Sequence, residues 1–310
     1  MENRRSFLKK TVMAGAAISL SPNLSAGLFD HEEPLFSLAQ WSLHKALQSG
    51  EMAAKDFPFF TKKEFGINTV EYVNQFYANQ KSNTAFWSEI LNKTNGEGIK
   101  NLLIMVDAEG ELGNANKRER KKAVENHHGW VDIAAKMGCH SIRVNAFGAE
   151  DKAQLKSALV DGLGSLCEYS QQAKINVLIE NHGLYSSDAD FIVEVIKEVN
   201  NPFMGTLPDF GNWCTSQMWG STDGDGCQTA YNHVEGVKKF LPYAKGVSAK
   251  TYNFDTKGNQ PNLDYKAMLK VVKDAGYQGH IGIEYEGSNL SEVEGIKASK
   301  KLIESIWSEL

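Results

Sequence analysis

The sequence predicts an α/β fold, a closed (β/α)8 TIM barrel, on three observations. Short apolar runs recur eight times along the chain. Helical patterns separate them. Polar, chemistry-bearing residues collect where the apolar runs end.

The strand candidates, in order, are residues 36–41, 67–73, 101–106, 141–145, 175–180, 203–207, 246–250 and 280–285. Each is short enough for a buried parallel strand and too short for a helix of the usual length. Between the third and fourth runs, residues 117–137 repeat Ala123, Trp130, Ala134 and Met137 at helical spacing, and Gly138 is suited to a left-handed C-terminal stop. Residues 187–199 gather Ile192, Val195, Ile196 and Val199 on one face. Residues 264–275 start at Asp264, pass through Met268, Leu269 and Val272, and stop at Gly276. The last helix, 291–307, opens on Ser291-Glu292-Val293-Glu294, a capping box that would satisfy free N–H groups at the helix start.

Strand–helix alternation of this kind implies parallel pairing through right-handed crossovers. A doubly wound open sheet is the alternative architecture. The first strand–helix turn carries no G-x-G-x-x-G cradle and the chain has no P-loop, so a nucleotide fold is disfavoured. With 42% hydrophobic and 23% charged residues over 310 positions, composition excludes disorder, collagen and coiled coil. A net charge of −5 makes nucleic acid a poor partner, because phosphate backbones reward clustered Lys and Arg. Oligomeric state, including a homo-oligomer, is left open.

The first 26 residues read as an address. Asn3-Arg4-Arg5-Ser6-Phe7-Leu8-Lys9-Lys10 precedes the apolar run from Thr11 to Leu20, then small residues suited to cleavage near Ala26. This resembles a bacterial twin-arginine export signal followed by a single barrel domain, 27–310. Cleavage would take the formal charge from −5 to −8 and place the mature protein in the periplasm. The apolar run is too short to span a membrane, and no later run is long enough. Four cysteines are too few for a disulfide scaffold. An oxidising compartment permits a Cys214–Cys227 bond, but spacing does not fix pairing, and free thiols are the expected state.

Barrel enzymes draw their chemistry from the C-terminal ends of strands. Here those ends carry Arg143 and Asn145, then Glu180-Asn181-His182-Gly183, Pro208-Asp209-Phe210-Gly211-Asn212-Trp213, Ser248-Ala249-Lys250 and Glu284-Tyr285-Glu286. Alternation along a strand puts Glu284 with Glu286, Glu180 with His182, and Arg143 with Asn145 on shared faces. Glu180, Asp209 and Glu284 each follow a run that should be buried. Carboxylates converging there persist only with a compensating cation or proton, and oxygen-rich ligation favours Mg²⁺ or Mn²⁺. By contrast Glu71, Glu109 and Glu111 read as solvated loop charges. His127 and His128, adjacent on one helix, point to different faces and read as structural. Asp223-Gly224-Asp225-Gly226 reads as a turn, because no bidentate Glu completes a calcium loop.

Over roughly residues 35–308 the chain resembles the sugar isomerase/epimerase superfamily with a xylose-isomerase-like barrel. Leu178-Ile179-Glu180-Asn181-His182-Gly183, Pro208-Asp209-Phe210-Gly211-Asn212, Val247-Ser248-Ala249-Lys250 and the segment from Gly276 to Gly287 carry the resemblance. It implies a divalent metal, Mn²⁺ or Mg²⁺, on Glu180, Asp209 and Glu284. Where the family reads Val-His-x-Lys, this chain has Ser248 for the imidazole. Three arrangements follow: the carboxylates and waters hold the metal, His182 or another group substitutes, or Lys250 takes the metal's electrostatic place. The resemblance further implies that Glu180 and Glu284 form an acid/base pair moving a proton beside a carbonyl. Lys250 would steady the oxyanion and His182 would shuttle a proton. Trp41, Arg143, Asn145, Asn181, Asn212, Trp213 and Glu286 are the substrate-binding candidates. Export argues for a non-phosphorylated sugar, keto-sugar or glycoside. Three functions compete: a carbohydrate isomerase or epimerase, a lyase or hydratase on an oxidised sugar, and a carbohydrate-binding protein whose chemistry has decayed.

Overall fold

The structure, a computed structural model, describes residues 33–310, so the export-signal reading of residues 1–26 falls outside the described residues. Eight parallel strands form one curled sheet. They are β1 (Phe36–Ala39), β2 (Thr69–Val73), β3 (Lys100–Met105), β4 (Ser141–Val144), β5 (Asn176–Glu180), β6 (Met204–Leu207), β7 (Val247–Thr251) and β8 (Ile281–Tyr285). Neighbours pair in sequence order from β1 to β6, and β8 joins β1 to β7. At the remaining seam the Ser248 N–H donates to the Pro208 carbonyl and the Phe210 N–H to the Ser248 carbonyl, each at 2.9 Å. The sheet therefore closes, with β6 and β7 meeting just where Asp209 and Ser248 stand.

The helices are α1 (His44–Ser49), α2 (Phe57–Phe65), α3 (Thr84–Gly96), α4 (Lys117–Met137), α5 (Lys152–Ser170), α6 (Ala189–Val199), α7 (His233–Phe240), α8 (Tyr265–Asp274) and α9 (Glu292–Glu309). Their starts follow capping chemistry. Asn116, Asp188, Asp264 and Ser291 each accept a hydrogen bond from a backbone N–H of the helix they open. Gly138 ends α4 at φ 72°, a left-handed angle that glycine adopts without a Cβ clash.

The apolar core splits into two layers. The larger lies between sheet and helices and includes Trp87, Trp130, Trp213, Phe240 and Trp307. The smaller fills the barrel interior with Ala39, Val73, Leu103, Met105, Leu178 and Leu207. Alternation places Glu71, Arg143, Glu180, Ser248, Lys250 and Glu284 on that same interior face.

Three sequence readings are corrected here. Glu71 is not a solvated loop charge; it is buried mid-strand inside the barrel, where Ser37 Oγ donates to it at 2.6 Å. Glu109 is also tied down, accepting from Trp130 Nε1 and pairing with Lys81 at 2.9 Å, whereas Glu111 is exposed as expected. Cys214 and Cys227 are not free thiols but a disulfide, because the loop after β6 doubles back and brings their Cα atoms to 5.7 Å. His127 is buried with Nδ1 against the Ala123 carbonyl, and His128 stacks on Tyr169, so both are structural.

Candidate active site

The interior polar residues converge at the C-terminal end of the barrel. β5 ends on Glu180, the β6 end supplies Asp209, β7 carries Ser248 and Lys250, and β8 carries Glu284. One carboxylate oxygen from each of Glu180, Asp209 and Glu284 lies within 4.8 Å of the others. All three are buried.

Asp209 is held on both sides. Its Oδ1 accepts from the Gly211 and Asn212 N–H groups, each at 2.8 Å, and its Oδ2 from Ser248 Oγ at 2.6 Å. Ser248 Oγ also lies 3.1 Å from Glu284 Oε2. A hydroxyl has one proton to donate, so it cannot satisfy both carboxylates at once. Lys250 Nζ stands 3.0 Å from Glu286, 3.6 Å from Glu284 and 3.8 Å from Asp209. The Asn212 amide satisfies its neighbours when Oδ1 accepts from Lys250 Nζ at 2.9 Å and Nδ2 donates to Tyr252 and to the Trp219 carbonyl.

A second cation, Arg143, serves the other half of the site. Its Nη1 donates to Asp107 at 2.6 Å, and its Nε lies 2.7 Å from Glu180 Oε2. That N–H is not aimed at the oxygen, which leaves Glu180 Oε2 buried without a hydrogen bond. Asn145 Nδ2 donates to Asp107 at 2.7 Å, so its Oδ1 is the atom facing His182 Nδ1 at 2.7 Å. An amide oxygen only accepts, which puts the imidazole proton on Nδ1 and leaves Nε2 as a base.

Burial and neighbouring charge together explain the titration behaviour. Burial raises Asp209 to about 7 and Glu284 to about 8 despite Lys250, and burial also raises Glu180 despite Arg143 and Lys250. Burial opposes ionisation of Asp107, but the charge of Arg143 and the hydrogen bonds from Arg143 and Asn145 act together against it, and the carboxyl is pulled down to about 2. Burial, reinforced by Arg143 and Lys250, lowers His182 to about 3, so its ring is neutral. Lys250 itself is pushed up by Asp209, Glu284 and Glu286, which override its burial.

Above this floor opens a cavity of about 350 Å³ lined by Trp41, Gln75, Asp107, Arg143, His182, Trp219, Ser221, Lys250, Glu284 and Glu286. Trp41, Arg143, His182, Lys250, Glu284 and Glu286 thus face it as the sequence suggested. Glu180 and Asp209 lie behind that lining. Trp213 is a correction: it is fully buried on the helix side, against Phe240 and over Gly236, and cannot reach a sugar. Asn181 is another. Its side chain binds the Asp209 and Asn212 carbonyls and the Asp209 N–H, fixing the β6 loop rather than the cavity. Asn145 and Asn212 likewise orient His182 and Lys250. Sequence reasoning missed Asp107 as the hub of Arg143 and Asn145, although it directly follows an apolar strand. It also missed Trp219, which no local pattern marks.

The sequence pattern described as xylose isomerase-like TIM barrel matches residues 62–306. The chain belongs to that family. No curated protein matches it in sequence. Among solved xylose isomerase-like folds, a D-tagatose 3-epimerase-like protein superposes with a TM-score of 0.64 at 18% identity, covering 88% of this chain and 98% of that one. The 3-keto-D-glucoside 4-epimerase of E. coli gives 0.62 at 12% identity, covering 82% and 94%. A xylose isomerase-like TIM barrel protein from Mycobacterium smegmatis, in complex with magnesium, gives 0.61 at 15% identity, covering 90% and 98%. At these identities the likeness to each is one of fold.

Three clustered carboxylates, one with a buried oxygen that accepts no hydrogen bond, make a donor set suited to a hard divalent cation, and the site is consistent with one.

Proposed function

We propose that this protein is a carbohydrate isomerase or epimerase that moves a proton beside the carbonyl of a non-phosphorylated sugar or keto-sugar. The observation that carries this reading is the buried carboxylate triad with Lys250 at the floor of an aromatic-walled barrel cavity.

Glu180, Asp209 and Glu284 would hold a divalent Mn²⁺ or Mg²⁺, with Ser248 as the neutral oxygen where the family places an imidazole. When bound, such a cation polarises a carbonyl and the hydroxyl beside it. The chain's own residues do the rest. Glu284 faces the cavity and, in its ionised form, accepts the C–H proton; burial takes water away from its carboxylate and makes it a stronger base than a solvated one. Neutral His182, its tautomer set through Asn145 by Asp107, presents a bare Nε2 that accepts a hydrogen bond from a substrate hydroxyl, and the proton is returned to the enediolate by Glu284 or Glu180. Lys250 supplies fixed positive charge where the oxyanion of an enediolate forms. Glu180 sits deeper, against Arg143, and acts with the triad.

The charges lining the cavity support a non-phosphorylated substrate. Its two cations, Arg143 and Lys250, are both engaged by carboxylates, and Asp107, Glu284 and Glu286 face the same space. A phosphate dianion would find no free charge-assisted donor there. Export to an oxidising compartment fits both this preference and the Cys214–Cys227 disulfide.

The test is hydrogen exchange. Mature protein supplied with Mn²⁺ is incubated with a panel of ketoses and 3-keto-glucosides in deuterated water. Incorporation of deuterium at a carbon beside the carbonyl, with an epimer or isomer formed, supports the reading. Exchange accompanied by loss of a leaving group would mean a lyase. Sugar binding with no exchange on any member would mean a binding protein.

A further inference from the structure

The loop between β6 and α7 does more than close the barrel. It folds back so that Trp219 lines the cavity mouth while remaining half exposed. Trp219 makes T-shaped contacts with His182, ring centroids 5.0 Å apart, and with Phe147 at 5.7 Å. Its backbone has φ 68°, a left-handed conformation that a bulky side chain rarely adopts and that persists only when its surroundings impose it.

Those surroundings are specific. Gly183 and Gly220 pack backbone to backbone: a Cβ on Gly183 would lie 2.3 Å from the Gln217 carbonyl and 2.8 Å from the Trp219 nitrogen, and one on Gly220 would lie 2.5 Å from the Gly183 nitrogen. The Leu184 N–H donates to the Gln217 carbonyl at 3.1 Å, and the Cys214 N–H to the Gly220 carbonyl at 2.9 Å. The Cys214–Cys227 disulfide ties the two arms of the loop together. A half-exposed indole is therefore held at the mouth by a glycine seat and a covalent staple, with Met218, also exposed, beside it.

A second indole, Trp41, walls the cavity lower down, stacked on His44 and Phe76. A cavity of about 350 Å³ is at the small end for ligand sites, and it runs from Glu284 and Lys250 to Trp219. Trp219 lies at the exit from that space.

We infer that Trp219 forms an outer subsite for a second ring joined to the reacting sugar, so that the substrate class is a glycoside rather than a free monosaccharide. This rests on the carbohydrate reading above. A sugar ring presents an apolar C–H face as well as hydroxyls, and an indole covers the former while leaving the latter in water. The acidic floor holds the ring that reacts; the aromatic mouth holds the ring that does not. Binding energy gathered at the mouth would orient the reacting ring over Glu284.

The experiment compares dissociation constants by calorimetry for methyl α- and β-D-glucoside and for maltose and cellobiose, with Mn²⁺ present. In the wild type, at least one disaccharide binds about tenfold or more tightly than its methyl glycoside. In Trp219→Ala that ratio falls to near one, whereas Trp219→Phe keeps most of it. Cys227→Ser, which removes the staple without touching the indole, lowers the ratio as well. A wild-type ratio near one for both linkages overturns the subsite, as does a ratio that survives Trp219→Ala. The two proposals fail separately. Disaccharide preference without hydrogen exchange on any keto-sugar keeps the subsite and rejects the isomerase; exchange without preference does the reverse.

Discussion

Glu284 and Lys250 are the residues on which the chemistry turns, and each has a substitution that isolates it. Glu284→Gln keeps the shape of the side chain but cannot accept a proton. Turnover should fall by about 10²-fold or more, the usual scale for an acid/base group, with the exchange rate in deuterated water falling in step. Loss of substrate affinity with turnover intact would instead assign Glu284 to binding. Lys250 is 3.6 Å from Glu284 and 3.8 Å from Asp209, close enough to repel a cation held by the same carboxylates. Lys250→Met should therefore raise Mn²⁺ affinity, read by calorimetry, while lowering turnover, because the fixed charge beside the oxyanion is gone. Metal affinity and activity both unchanged would make Lys250 structural. Ser248 sharpens the contrast. Its hydroxyl reaches Asp209 and Glu284 but adds no charge, so the usual imidazole is replaced by a weaker neutral oxygen.

Strands and helices were legible because their signals are local. Each strand run contained the observed strand or ended within a residue of it, and Gly138 and Ser291 end α4 and start α9 as capping rules require. The carboxylates at strand ends were legible for the same reason: burial follows from the apolar run before them. What escaped depends on distant packing. Trp213 and Trp219 sit six residues apart on one loop, yet one is core and the other faces the cavity, and only the loop's path decides which. Glu71 read as a solvated loop charge but points into the barrel interior, where Ser37 of β1 donates to it. Gly282 leaves it room, since a Cβ there would lie 2.7 Å from Glu71 Oε1. Burial pushes Glu71 up to about 7 from 4.5, against the hydrogen bond from Ser37. The sign of its effect follows from proton counting. Between those two values the folded barrel keeps a proton that the unfolded chain has lost, so stability contributed there declines as pH rises towards 7. Glu71→Gln carries no such proton. Its stability relative to wild type should improve from pH 5 to pH 8 by up to about 3 kcal/mol, measured by denaturant unfolding at both pH values. An equal difference at the two would show that Glu71 does not titrate in this way.

At the scale of the whole molecule, the export reading and the disulfide make one joint prediction. A cytoplasmic protein keeps its thiols reduced, whereas an exported one can close a surface staple. Cys139 and Cys167 are buried and separate, and burial raises both thiols well above their ordinary value, so they stay protonated and inert in either compartment. Only Cys214 and Cys227 report on location. Replacing Arg4 and Arg5 by Lys should block passage through a twin-arginine route and leave full-length precursor in the cytoplasm. Unfolding each fraction in an alkylating reagent then counts the free thiols. Wild-type protein from the periplasm should gain two labels, at Cys139 and Cys167, and the retained variant four. The staple that seats Trp219 would then close only after transport, and the aromatic mouth would be fully formed only where the substrate is met. Unchanged periplasmic yield of the variant would reject the export route. Two labels on retained precursor would show that the loop oxidises without leaving the cytoplasm, and the link between transport and the finished site would be gone.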